Sequence, residues 1–215
     1  MLFKKIINLG FPTAMQMLFE VGVFTAAIWL AGTMGTIDQA ANQIALNLSS
    51  MTFMIAVGLG VTATIRVGNQ KGLRNFTELR RVSISIFLQV FIIEMVFALL
   101  FITFKNVLPE IYIDNESVVN TAASLLLIAG LFQLSDGVQV VVLGALRGLQ
   151  DVRIPTYITF IAYWIVGFPI CYILGKELGL GSQGIWVGLL AGLTVSAVLL
   201  LLRFNYLTNK LIENN

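Results

Sequence analysis

Three carboxylic acids, Glu20, Glu94 and Asp136, stand within long apolar stretches that hold no other charge. All 13 lysines and arginines fall at the ends of such stretches or between them. An acid kept charged in the middle of a bilayer costs roughly 2.5–3.5 kcal/mol on insertion scales. Without a basic partner it must be protonated, hydrated in a cavity, or neutralised by a cation from solution. Each of these suits a site that binds and releases H+, Na+ or an organic cation. The alternative is a protonated acid that bridges two helices. Glu94 is expected to take that course, because Ile92, Ile93, Met95 and Val96 give it no polar context.

Spacing groups further polar residues with the other two acids. Thr13, Gln16 and Glu20 recur at three and four residues and share one helix face. Gln133, Asp136 and Gln139 recur at three, and Gln43, Asn47 and Ser50 at four and three, with Met54 continuing that face. Polar stripes in lipid must face protein or water, so one shared internal cavity is expected. In it Glu20 and Asp136 could hold a cation, as metal ligands if that cation is Na+. Gln16, Gln43, Asn47, Gln133 and Gln139 would supply neutral ligands to the cation or to water. Met54 and Trp164 are candidates for an apolar surface that receives an organic ligand, with plain packing as the alternative.

Catalysis finds no footing here. The chain has no histidine and one cysteine, which excludes a histidine general base, a His-containing zinc site and a disulfide framework. It also lacks HExxH, GxSxG and a Gly-rich loop ending in Lys-Ser/Thr. No enzyme, no cofactor beyond a coupling ion and no nucleic-acid partner are expected.

The elements that must position these groups are helices in a membrane. The chain is 58% hydrophobic and 11% charged, with mean hydropathy +0.90, whereas soluble domains carry about 25% charged residues. Stretches 6–33, 39–65, 82–104, 117–146, 154–175 and 178–203 are each long enough to cross an apolar core about 30 Å thick. Nothing alternates as transmembrane strands would. The expected fold is all-α: one six-helix transmembrane lobe covering residues 1–215. Eleven basic residues, Lys4, Lys5, Arg66, Lys71, Arg74, Arg80, Arg81, Arg147, Arg153, Arg203 and Lys210, fall on one side and only Lys105 and Lys176 on the other. That bias predicts cytoplasmic termini in a cell (inner) membrane.

Two further patterns concern packing. Trp29, Tyr112, Tyr172 and Trp186 read as an aromatic belt at the outer interface, with Tyr157 and Tyr206 at the inner one. Gly181, Gly184, Gly188, Gly192 and Ser196 form a small-residue stripe that lets helices approach closely. Pro12 and Pro169 fall inside spans and are expected to kink them or free a carbonyl.

Several motifs, in order along residues 4–205, carry a family resemblance. Leu9-Gly10-Phe11-Pro12, Gln16 and Phe19-Glu20-Val21-Gly22 resemble the seventh helix of the multidrug and toxic compound extrusion (MATE) family. Ala40-Ala41-Asn42-Gln43-Ile44-Ala45, then Val57-Gly58-Leu59-Gly60 and Arg66-Val67-Gly68-Asn69, are similar to its eighth. Leu146-Arg147-Gly148-Leu149-Gln150-Asp151 with Pro155 resembles the link between helices ten and eleven, and Gly184-Ile185-Trp186-Val187-Gly188 the start of the last helix. The family has twelve helices in two lobes, and the resemblance is to the second lobe, NorM-type branch. The chain is therefore expected to be part of a longer protein, with a stand-alone half as the alternative.

The resemblance implies secondary active export of cationic amphiphilic drugs or dyes in exchange for Na+ or H+. Glu20 and Asp136 would be the coupling acids, and an amino-terminal six-helix lobe the partner, in the same chain, a separate chain or a homodimer. Two other readings compete. A flippase of lipid-linked sugars from the same superfamily should show cationic residues in the cavity. A non-transporting membrane subunit would bind its partner through the glycine stripe.

Overall fold

The computed structural model describes residues 2–213. The Lys5 side chain, counted above on the basic side, lies outside what is described. Six helices are long and apolar enough to cross a membrane, and no strand occurs among the described residues. They are α1 (Leu2–Gly32), α2 (Thr36–Gly72), α3 (Phe76–Thr103), α5 (Glu116–Gly148), a fifth span (Arg153–Glu177) and α8 (Gly181–Glu213). A short α4 (Val107–Glu110) lies between α3 and α5. The fifth span begins as α6 (Arg153–Phe160) and ends after α7 (Phe168–Tyr172), with π-helical segments at Ile161–Gly167 and Ile173–Glu177. The chain is thus a multi-pass, all-helical membrane protein.

Local sequence explains the helix ends. Asn75 and Asn115 cap α3 and α5, each side chain accepting from the backbone N–H three residues on, Glu78 at 3.1 Å and Val118 at 3.2 Å. α2 and α5 close alike: Arg74 (φ 56°) and Gln150 (φ 59°) turn left-handed. The next N–H groups, of Asn75 and Asp151, then reach back to the carbonyls of Gln70 and Leu146.

α5 is the central post, with α2, α3 and α8 packed around it. Small residues decide the closest approach. Ala41, Ala45, Ser49, Thr52, Ala56, Gly60, Ala63 and Val67 recur at three and four along α2 and are all buried. Gly144 of α5 lies so near Gly60 that a Cβ would overlap its carbonyl. Thr64 Oγ1 donates to the carbonyls of both Gly60 and Gly144 at 2.9 Å.

Polar ties hold both ends of the bundle. At the basic end Arg203 pairs with Asp151 at 2.8 Å and Lys71 donates to the Leu149 carbonyl at 2.5 Å. Arg80 also reaches Asn205 and Asn209. At the opposite end Asp38 accepts from the Ser182 N–H at 2.8 Å, and Tyr112 donates to Asn47 at 2.8 Å.

Several expectations change here. Trp186 is not an interface anchor: it is fully buried, its indole N–H donating to Asn42 at 2.9 Å and its ring set edge-on to Phe132. A satisfied donor removes the reason for an indole to stay at the interface. The glycine stripe is used within the chain. A Cβ at Gly188 would meet Cys171, and one at Gly192 would fall 2.9 Å from the Ala162 carbonyl, so the stripe seats the fifth span and offers no face to a partner. Pro12 does not interrupt α1, and its carbonyl accepts from Thr156 Oγ1 at 2.9 Å. Pro169 stands between the two π segments, where a missing N–H joins a widened helical register.

Candidate functional site

Glu20 and Asp136 come within electrostatic range of each other, from α1 and α5. Asp136 is buried, and its Oδ1 has no hydrogen-bond partner. Glu20 is half-buried. The amides flanking them divide. Gln16, Gln133 and Gln139 are buried, but two already have engagements: Gln16 Oε1 accepts from Arg147 at 3.3 Å and Gln133 Oε1 from Thr52. Gln139 keeps both polar atoms unpartnered. Asp136 Oδ1 and Gln139 Oε1 are therefore among the acceptors left open. Among the described residues no group of three or more His, Cys, Asp or Glu could hold a metal ion, so a Na+ site here would need amide or carbonyl oxygens beside the carboxylates.

The α2 stripe does not join this cluster. Gln43, Asn47, Ser50 and Met54 lie on the exposed face of α2, Met54 at 66%. The reason is the small-residue face, which α2 turns to α5 for close packing, so the polar stripe points away. From the buried side α2 contributes Asn42, Ser49 and Thr52 instead. Trp164 is half-buried and pins the fifth span to α1: its indole N–H donates to the Phe19 carbonyl at 3.1 Å and its ring lies over Gly22. Two surface clefts, of about 360 and 510 Å³, lie at opposite ends of the bundle, and neither is lined by Glu20, Glu94 or Asp136. The cluster is a polar seam between α1 and α5, and the α2 stripe expected to share an internal cavity with it points elsewhere.

A model of the MatE family matches residues 12–173. The chain belongs to the MatE family. Over 204 residues it is 41% identical to the probable multidrug resistance protein NorM of Pasteurella multocida, covering 93% of this chain and 44% of that protein. It is 40% identical over 201 residues to the multidrug resistance protein MdtK of Proteus mirabilis, covering 92% and 44%. Its fold superposes on the crystal structure of the eukaryotic MATE transporter AtDTX14 with a TM-score of 0.88 at 22% identity, covering 98% of this chain and 49% of that one. This MatE chain thus spans about half the length of the proteins it matches.

Within this MatE chain, four residues stand near the site that sequence reasoning did not place there. Arg147 corrects the view that the acids lack a basic neighbour, for it lies within electrostatic range of Glu20 while holding Gln16. Its sequence position, in the last turn of α5, suggested a solvated helix end. Tyr163 is buried in the first π segment within range of Glu20 and Asp136, facing Gln139 and Ser196 without reaching hydrogen-bond geometry. Only a π register read from sequence could have placed Tyr163, and composition carries no such signal; Ser196 lies on α8, where sequence marked it only as part of the small-residue stripe. Glu94 is the fourth. It is 1% exposed and within electrostatic range of Asp136.

Proposed function

We propose that this chain is the cation-coupled half of a secondary active exporter of cationic amphiphilic drugs or dyes, working in antiport with Na+ or H+. The observation that supports the reading is that Glu20 and Asp136, on two different helices, lie within electrostatic range of each other. A cation bound between them relieves carboxylate repulsion and favours a closed α1–α5 contact. Its release favours the opposite arrangement, in which organic cation is taken up from the cytoplasm or inner leaflet. Such exchange requires different affinities in the two states, and each charge moved supplies about 2.3 kcal/mol per 100 mV. Gln139, Gln133 and Gln16 serve as neutral ligands. In this reading Met54, Gln43 and Asn47 face the amino-terminal six-helix lobe, in the same longer chain, a separate chain or a second copy. The protein sits in the cell inner membrane with cytoplasmic termini.

Arg147 is the observation that favours a flippase of lipid-linked sugars instead. A single guanidinium already within range of Glu20 is a weak receptor for a pyrophosphate. The test is ethidium export from efflux-deficient cells, and from vesicles with imposed Na+ or pH gradients, with the chain co-expressed with an amino-terminal lobe. The double variant Glu20→Gln, Asp136→Asn should lose gradient-driven export, and normal export by it would sink the assignment.

A further inference from the structure

The cleft of about 360 Å³ at the basic end of the bundle gathers charge from three parts of the chain. Lys71 enters it from the end of α2, Asp151 from the turn after α5, and Arg203 and Lys210 from α8. Among the described residues that line it, three cations face one carboxylate. Arg203 and Lys210 by themselves outnumber Asp151. The walls between them are apolar: Leu149 is buried, and Leu207 and Leu211 are half-buried. Along α8 the order Arg203, Leu207, Lys210 sets a leucine between two cations on one helix face.

Asp151 does not exhaust the cations. Its Oδ2 accepts from Arg203 Nε at 2.8 Å, which leaves the two terminal nitrogens of the guanidinium fork to meet another acceptor. The Tyr206 ring lies 5.8 Å from that guanidinium and offers it a face, not an oxygen. Lys71 Nζ donates to the Leu149 carbonyl at 2.5 Å, which fixes its side chain at the cleft wall.

Depth in the membrane decides which anion meets this charge. α8 carries no charged residue from Gly181 to Leu202, about 33 Å at 1.5 Å per residue. That matches an apolar core about 30 Å thick. Arg203 therefore leaves the core at its edge, where lipid phosphates lie, and Lys210 follows about 10 Å further out. Tyr206, exposed between them, stands where an interfacial aromatic belongs. Basic pockets between helix ends at this level suit the headgroups of anionic lipids, and a guanidinium fork matches a phosphate in shape. A free phosphate would gain nothing from the leucines, whereas the glycerol end of a lipid would cover them.

We propose that the cleft between the ends of α2, α5 and α8 is a binding site for one anionic phospholipid. Arg203, Lys210 and Lys71 hold its phosphodiester, and Leu149, Leu207 and Leu211 receive its glycerol and first methylenes. An occupied site clamps three helix ends that the Arg203–Asp151 and Lys71–Leu149 contacts already draw together. The site is independent of the transport reading, since neither Glu20 nor Asp136 lines the cleft.

Native mass spectrometry of the full chain, released from detergent with added lipid, counts the lipids retained. One phosphatidylglycerol should be held at concentrations where phosphatidylcholine with the same acyl chains is not. Lys210→Gln should weaken that binding step about fivefold, the effect of one cation near an anionic lipid surface. Arg203→Lys keeps the charge but gives up the fork, and should weaken it by a similar factor. Lys176→Gln, at the opposite end of the bundle, should leave it unchanged. Inorganic phosphate at the concentration of the lipid should not displace it. Equal retention of the two lipids overturns the proposal. So does an equal loss in Lys176→Gln and Lys210→Gln, which would mean diffuse attraction to a basic protein. Displacement by equimolar inorganic phosphate also overturns it, by making the free anion the ligand. Lys210 is exposed near the end of α8, so Lys210→Gln decides the matter even where Arg203→Lys fails to fold.

Discussion

At the scale of single residues, the two acids of the seam live in different company. Glu20 has a guanidinium within range and Asp136 has only other acids and Tyr163. Arg147 also orients Gln16, which sits one turn before Glu20 on the same face. Replacing it with glutamine should therefore disturb the charge balance and the amide together. Arg147→Gln is expected to lower gradient-driven export about tenfold, equivalent to ~1.4 kcal/mol, and Arg147→Lys to recover part of it. Export assays across both variants check this. Gly137 offers a second residue-scale test. Gly137→Ala forces a methyl into the space of Glu94 Cγ, and overpacking of that kind costs about 1–3 kcal/mol. In a Glu94→Ala background the same change should cost less, the remaining close approach being Val90 Cγ2 at 3.1 Å. The four melting temperatures of that double-mutant cycle report the coupling.

Between helices, shape dominates over polarity. The α2–α5 contact depends on glycines that face backbone, where no rotamer change can make room. Gly144→Ala would push its Cβ into the Gly60 carbonyl and break the Thr64 hydrogen bonds that span the contact. It should lower the melting temperature more than Gly137→Ala does, and no side-chain truncation on α2 should rescue it. Thermal unfolding in detergent or bilayers, with Leu59→Ala on α2 as the attempted rescue, measures the difference. The small-residue repeat along α2 is legible in sequence as a packing face. Its consequence was less so. Turning Ala45 and Gly60 toward α5 turns Gln43 and Asn47 away, because one helix has only about 360° to share between two stripes. The sequence pattern ranked the polar stripe first, whereas the close-packed face set the rotation.

For the whole molecule, the exposed face of α2 is the feature that half-length coverage of its relatives makes testable. A spin label at Asn47→Cys reads that face, and the native thiol does not compete because Cys171 is buried on the Ile185 carbonyl. In the chain alone the label should be freely accessible to dissolved oxygen. With an amino-terminal lobe co-expressed, its accessibility should fall several-fold, while a label at Leu202, exposed on α8, should change little. Equal accessibility at Asn47 in both preparations would argue against a lobe covering this face.

Composition and the spacing of charges determined that the protein is a six-span helical bundle, because lipid leaves an apolar segment of about 20 residues few other ways to satisfy its backbone. The same spacing marked Glu20, Asp136, Gln16, Gln133 and Gln139 as residues that would face protein. What it could not carry is the rotation of each helix about its axis and its register against the next. Those follow from the glycine contacts at Gly60, Gly137, Gly144 and Gly188, which are long-range in sequence. Tertiary structure alone therefore brought Arg147 within electrostatic range of Glu20, set Trp186 in the core, turned Asn47 outward and packed Glu94 against Gly137. Glu94 has only apolar sequence neighbours, and the fold alone shows that it packs against Gly137 of α5. In a helix, though, the groups that matter to a side chain come from the helix it faces, and no local window contains them.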